Sequence, residues 1–250
     1  MPALTCQLIG GPTAVIEYGG LRWMTDPTFS DPGEFELGLV KTTGPAVAAG
    51  DVGPIDVVLI SHDHHADNLD PAGREFVLGS DARVFTTVAG AQRLGGSVEG
   101  LDEWATATVG DVTVTAVPAL HGPPGCEEIT GPVIGFVLSA DGQPTVYVSG
   151  DNASLDVVDE VARRCAPVEI AILNAGAVQI PQRFDGAYLT LSSDRAAMAT
   201  IALGARVAIP LHFEGWAHFT QGPDALVAAY AGNGVSDRLR LPARGEVVEA

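Results

Sequence analysis

Four apolar runs in this chain each break off into a histidine or an aspartate. Ile55–Ile60 runs into Ser61-His62-Asp63-His64-His65-Ala66-Asp67-Asn68, and Val112–Val117 into Pro118-Ala119-Leu120-His121-Gly122. Thr145–Val148 runs into Ser149-Gly150-Asp151-Asn152, and Arg206–Pro210 into Leu211-His212-Phe213. Short Val- and Ile-rich runs bounded by Gly and Pro read as strands. Ile55–Ile60, apolar but for Asp56, reads as a strand covered on both faces. In sandwich and α/β folds such strand ends line one rim, where ligands commonly sit.

The remaining pattern narrows the fold. Leu4–Ile9, Ala14–Tyr18 and Leu21–Thr25 form a meander broken by Gly-Gly turns. Phe29–Gly50 is long, rich in Gly and Pro and weakly periodic, as expected of a lid or binding loop. Further strands are expected at Arg83–Thr86, Val133–Ser139 and Glu169–Leu173, and Asp141-Gly142 reads as a hairpin turn into Thr145–Val148. Helices are expected over Asp70–Leu78 (Asp70 as N-cap, Pro71 first), Val88–Leu94, Ser154–Arg164, Ser193–Leu203 and Asp224–Tyr230. Strands come first in meanders and then interleave with helices, twice over. That order predicts an α/β fold of two packed sheets with helices outside, a four-layer αββα sandwich. A doubly wound parallel sheet competes, but the opening meander and the hairpin argue against it. No linker or repeat divides the chain, so residues 1–250 are expected to form a single domain.

Charge limits the partners. Asp and Glu number 31 against 13 Lys and Arg, a net charge of −18, and Lys41 is the sole lysine. Such a chain repels phosphate backbones and anionic membranes, so neither is an expected partner. No window reaches the ~20 apolar residues of a membrane span. The start, Met1 to Cys6, lacks the basic and apolar regions of a signal peptide. Cys6, Cys126 and Cys165 are far apart and cannot pair completely, which suits a reducing cytoplasm. Gly-x-Gly-x-x-Gly after a strand and Gly-x-Ser-x-Gly are both absent, leaving nucleotide cofactors and a serine triad without support.

The residue types at the strand ends are those that hold Zn and similar divalent ions. Such ions lower the pKa of a bound water to ~7 and polarise a substrate oxygen. A lone histidine is more often hydrogen-bonded or at the surface, and Ser61–Asn68 by itself could be a polar loop. Four matching strand ends together point to a site for one or two divalent cations, Zn foremost, with Mn or Fe as alternatives.

The set resembles the metallo-β-lactamase superfamily, and within it the UlaG-like metal-dependent hydrolases. The resemblance covers nearly the whole chain: Met24-Thr25-Asp26-Pro27, the histidine-rich loop, Val117–Gly122, Ser149-Gly150-Asp151 and Ile209–Phe213. It implies hydrolysis of a small-molecule ester, lactone, amide or phosphodiester by a hydroxide held at the metal. The family's first motif is His-x-His-x-Asp-His, and this loop departs from it. One register aligns His62, His64, Ala66 and Asp67; another aligns Asp63, His65, Asp67 and Asn68; a one-residue insertion would let His62, His65 and Asp67 act together. Period-2 alternation, if the strand continues, favours the first. In that register His62, His64 and His121 hold one metal and Asp67 and His212 a second. Asp151 then bridges both, and Asp67 doubles as a proton acceptor. A mononuclear site is also compatible. The altered loop keeps an alternative open, a non-catalytic binding or scaffold protein with a degenerate site. A di-iron redox protein on this fold would need a flavin domain that the chain does not contain.

Other residues are secondary candidates. His218 could stabilise an oxyanion or bind substrate, or pack between Trp216 and Phe219. Glu214 could orient a ligand histidine, and Asp26 could support the site from behind or simply turn the chain. Phe29–Gly50 and Phe184–Leu191, with Arg183 and Tyr188, are candidate substrate walls, as is Gly122–Gly131 with Cys126.

Overall fold

The computed structural model describes residues 3–180 and 184–250. In chain order, β1 (Leu4–Gly10), β2 (Thr13–Tyr18) and β3 (Leu21–Thr25) form the meander, followed by a small ribbon of β4 (Gly33–Glu34) and β5 (Val40–Lys41). Then come β6 (Val57–Leu59), α1 (Pro71–Gly79), β7 (Arg83–Thr87), α2 (Val88–Leu94) and β8 (Glu99–Leu101). The second half holds β9 (Thr106–Val109), β10 (Val112–Ala119), α3 (Glu127–Thr130), β11 (Val133–Ser139), β12 (Val146–Val148) and α4 (Leu155–Cys165). It ends with β13 (Ile170–Asn174), α5 (Ser193–Leu203), β14 (Val207–Leu211), α6 (Pro223–Gly232) and β15 (Val247–Glu249).

The first sheet runs β15-β1-β2-β3-β6-β7-β8, and the second β14-β13-β12-β11-β10-β9. Each is antiparallel in one part and parallel in the other: β3, β6, β7 and β8 pair in parallel, as do β12, β13 and β14. The doubly wound reading is thereby excluded, and β11 and β12 pair antiparallel across the expected hairpin.

Period 2 sorts the side chains of the first sheet between two interiors. Ile16, Trp23, Val57, Leu59 and Phe85 join the central core between the sheets. Val15, Met24, Val58, Ile60 and Val84 point the other way, against Val77 of α1 and Leu94 of α2. Helices α4, α5 and α6 cover the far side of the second sheet through Val158, Val161, Ala196, Leu203, Leu226 and Tyr230. Helices thus lie outside both sheets, the expected four layers. Asp70 caps α1 by accepting from Gly73 N at 2.8 Å, and Ser192 caps α5 by accepting from Arg195 N at 3.3 Å.

Differences from expectation are local. β6 is shorter than the run Ile55–Ile60, because Asp56 turns aside to take the amide of Arg22 at 2.8 Å. β8 and β15 carry little apolar alternation, β9 only the two inward residues Ala107 and Val109, and all three are partly exposed edge elements. The segment Phe29–Gly50 is pinned rather than free. Lys41 Nζ, almost fully buried, donates to Asp70 Oδ2 at 2.9 Å and to the Thr28 carbonyl at 3.0 Å. Among the described residues, no helix is long and apolar enough to cross a membrane.

Candidate metal centre

Strand direction gathers the site. β10 and β12 are each antiparallel to β11 and so run the same way, and β13 and β14 run with β12. Their C-terminal ends therefore emerge on one edge, carrying His121, Asp151, Asn174 and His212. In the first sheet β3 and β6 run in parallel and end in Asp26 and the Ser61–Asn68 loop. Asp26 ties these two ends together: Oδ1 accepts from Ser61 N at 2.6 Å and Oδ2 from Ser61 Oγ at 3.0 Å.

Each ligand-type side chain is oriented from behind. His62 Nδ1 lies 3.0 Å from Ser61 Oγ, whose own proton goes to Asp26, so Nδ1 is the donor and Nε2 is left with a lone pair. That Nε2 sits 2.9 Å from His65 Nδ1. His121 Nδ1 donates to the Leu189 carbonyl at 2.8 Å, which likewise frees its Nε2. Asp151 Oδ1 accepts from Asn174 Nδ2 at 2.8 Å and from Asn68 Nδ2 at 3.3 Å. At the end of β14, His212 takes φ 59°, a conformation rare for a side-chain-bearing residue. Its N–H is held by the Gly11 carbonyl at 2.8 Å. Its own carbonyl approaches Gly176 so closely that a Cβ there would lie 2.0 Å away, so only glycine fits.

Three trios of ligand atoms come within 4.8 Å of one another: His62, His64 and His65; His62, His121 and Asp151; and Asp67, Asp151 and His212. Asp151 belongs to the last two. Its Oδ2 is 3.6 Å from His121 Nδ1, and its Oδ1 is 3.7 Å from His212 Nε2. Asp67 Oδ2 is 3.4 Å from His212 Nε2 and 2.8 Å from His218 Nε2. The imidazoles of His62 and His65 are 5.3 and 5.2 Å from that of His121. His64 is close to both loop partners, yet its Nε2 is spent on the Thr130 carbonyl at 2.5 Å. Asp63 is turned out of the group and clasped by Arg93, with Nε 2.9 Å from Oδ2.

The electrostatics match a cation. Burial, then the neighbouring imidazoles, holds His62 well below the usual histidine range, and the same causes bring His65 down to about 4. Both are neutral and can donate lone pairs. Burial alone would raise Asp67, but His218 and His212 outweigh it and hold it well below the carboxylate range. His212 is pushed up by Asp151 and Asp67 against its own burial. Burial, with the Asp151 charge, lifts Asp26 to about 7 against the Ser61 amide. Among the described residues, Asp151 Oδ2 and both ring nitrogens of His212 are buried without a hydrogen-bond partner. Unpaired buried polar atoms are costly, and a divalent cation satisfies this set of nitrogen and carboxylate donors. The residues fit the implied metal.

The secondary candidates fall variously. His218 contacts Asp67 and also meets Phe219 edge-on, with ring centres 4.8 Å apart. Glu214 reaches no histidine ring; it accepts from Gly11 N at 3.0 Å, bracing the loop whose carbonyl holds His212. Asp26 supports the site through Ser61 and Asn68. Cys126 is buried with its thiol on the His121 carbonyl at 3.3 Å. Tyr188 lines a separate cavity beside Arg195, and Arg183 lies outside the described residues. Asn174 was not singled out from sequence, although it too ends an apolar strand on this rim.

Residues 22–213 match the family profile described as the beta-lactamase superfamily domain. The chain belongs to that superfamily. One curated relative, a UPF0173 metal-dependent hydrolase of Anaeromyxobacter dehalogenans, is 27% identical over 231 residues, covering 86% of this chain and 76% of its own length. Among solved structures, a possible metal-dependent hydrolase from Veillonella parvula superposes with a TM-score of 0.86 at 16% identity, covering 100% of both chains. An isothiocyanate hydrolase from Delia radicum gut bacteria gives 0.83 at 19% identity, covering 98% of this chain and 99% of that one. The superfamily expected from the strand-end motifs is thus the one found, and the curated relatives carry the expected type of name.

Proposed function

We propose that this superfamily member is a metal-dependent hydrolase of a small molecule, of the UlaG-like kind, working in the cytoplasm. The observation that carries the reading is Asp151, a buried carboxylate common to two clusters of ligand-type atoms, with one oxygen left unpaired. His62, His65 and His121 with Asp151 would hold one cation, and Asp67 and His212 with the same Asp151 a second. When bound, such ions supply a water acidic enough to attack near neutral pH and polarise the bond to be cleaved.

The chain's own residues do the rest. Asn174 and Asn68 fix Asp151 through Oδ1, so that Oδ2 is presented to the site. Leu189 and Ser61 fix the tautomers of His121 and His62. His218, whose Nε2 shares a proton with Asp67 Oδ2, borders the substrate recess and is placed to pass that proton to a leaving group. Esters, lactones, amides and phosphodiesters are the candidate classes. The isothiocyanate hydrolase of like fold adds a further compact carbon electrophile.

The test is metal analysis of protein purified with Zn or Mn supplementation, followed by a screen of esters, lactones and phosphodiesters. At least one ion per chain is expected, lost in the His121→Ala/Asp151→Ala double variant while circular dichroism shows the fold retained. Metal below about one per chain in the parent protein overturns the reading. Bound metal without turnover on any substrate class would favour the binding or scaffold alternative.

A further inference from the structure

The wall of the recess over the site restricts what it can hold. His65, Asp67, His121 and His218 form its floor. Leu39, Val178, Ile180, Phe184 and Leu189 line it above, with Leu37 and Ile129 at the mouth. Its volume is about 50 Å³. Since roughly 10–15 Å³ holds one water, the space takes a group of about four heavy atoms. Leu37 and Ile129 are 63% and 62% exposed. Because both also line the recess, an apolar group held there would cover them. They reach the mouth from different elements, the turn before β5 and helix α3, and Leu37 does so from φ 63°, a conformation that costs energy. Among the described residues the lining contains no lysine or arginine. The chain as a whole carries a net charge of −18. An anionic substrate would approach against that overall charge, and the described wall offers it apolar side chains.

We infer, resting on the hydrolase reading, that the substrate is a small uncharged acyl compound with a short apolar tail, and that Leu37 and Ile129 select it by clasping that tail. For an ester of this class, the oxygen of water joins the acyl carbon and the carbon–oxygen bond to the alcohol breaks; one proton of that water leaves on the alcohol and the other is released to solvent. The acyl group departs as a carboxylate.

Two measurements on the full metal-supplemented chain test this. Acetamide, propionamide and butyramide are titrated by NMR line broadening, beside dimethyl phosphate as the anionic probe. Each added methylene is expected to tighten binding about fourfold, which is the ~0.8 kcal/mol of a buried methylene, and dimethyl phosphate is expected to bind more weakly than any amide. Leu37→Asp and Ile129→Asp replace exposed side chains and leave the core untouched; each is expected to remove the chain-length trend. In turnover, p-nitrophenyl butyrate should exceed p-nitrophenyl acetate in kcat/KM through KM, and bis-p-nitrophenyl phosphate should trail both. Affinity independent of tail length, or a preference for either phosphate probe, overturns the inference. The chain-length trend in binding with no hydrolysis of any ester, lactone, amide or phosphodiester would instead overturn the hydrolase reading and leave the apolar selection standing.

Discussion

His64 and His65 are neighbours whose side chains serve different ends. His65 faces His62 and His121, whereas His64 commits Nε2 to the Thr130 carbonyl and so braces the loop against α3. Losing a residue that only orients a ligand typically costs 10–100-fold in metal affinity. His65→Ala is therefore expected to lower zinc affinity by more than about 100-fold, and His64→Ala by at most about 10–100-fold, in competition with a chromogenic chelator. Equal losses would return His64 to the ligand set. The alternation rule that favoured His64 presumes continuing strand, but β6 ends at Leu59 and the chain then winds through turns, so spacing no longer dictates direction. What the sequence did carry was the set of partners: His62, His121, Asp151 and His212 all stand where strand ends placed them. Asn68, a poor ligand by its chemistry, proves to be a donor that orients Asp151.

At the scale of elements, the ribbon of β4 and β5 determines the wall that carries Leu37 and Leu39. Lys41 fixes it. Besides its bond to Asp70, its ammonium lies 5.5 Å from the Trp216 ring centre, and its backbone bridges to Trp216, two residues before His218. One side chain thus joins the recess wall, the cap of α1 and the turn bearing the proton donor. Removing one member of a buried ion pair costs about 3–5 kcal/mol. Asp70 retains amide bonds from Phe29, Ser30 and Gly73, so Lys41→Met is placed at about 3 kcal/mol within that range, read from urea midpoints. A loss under about 1 kcal/mol would show that the amides alone satisfy Asp70. None of this was legible beforehand. Phe29–Gly50 has no period to read, and the partner of Lys41 lies 29 positions away in sequence.

Over the whole molecule, the central core and its flanks bury groups that ionise only at high pH. Burial raises Cys6, Tyr18 and Tyr230 each to about 12, and raises Tyr147 as well. In the unfolded chain these groups lose their protons near pH 9–10. Above that range the folded state holds more protons than the unfolded one, so stability falls as pH rises, and it is unaffected by these groups below pH 9. Urea midpoints should hold steady to about pH 9 and drop toward pH 12, with tyrosinate absorbance of these residues appearing only alongside unfolding. Tyrosinate at pH 10 from all four tyrosines of the intact fold would contradict this. The layering itself was readable because meander, crossover and meander again leave few alternatives. The edge strands β8, β9 and β15 were not, since they take their conformation from neighbours rather than from their own side chains. The burial of Lys41 also has a chemical consequence. With the sole ε-amine of the chain out of reach of solvent, acylating reagents can modify a lysine here only when the ribbon lifts. The rate of that modification is a clock for opening above the site.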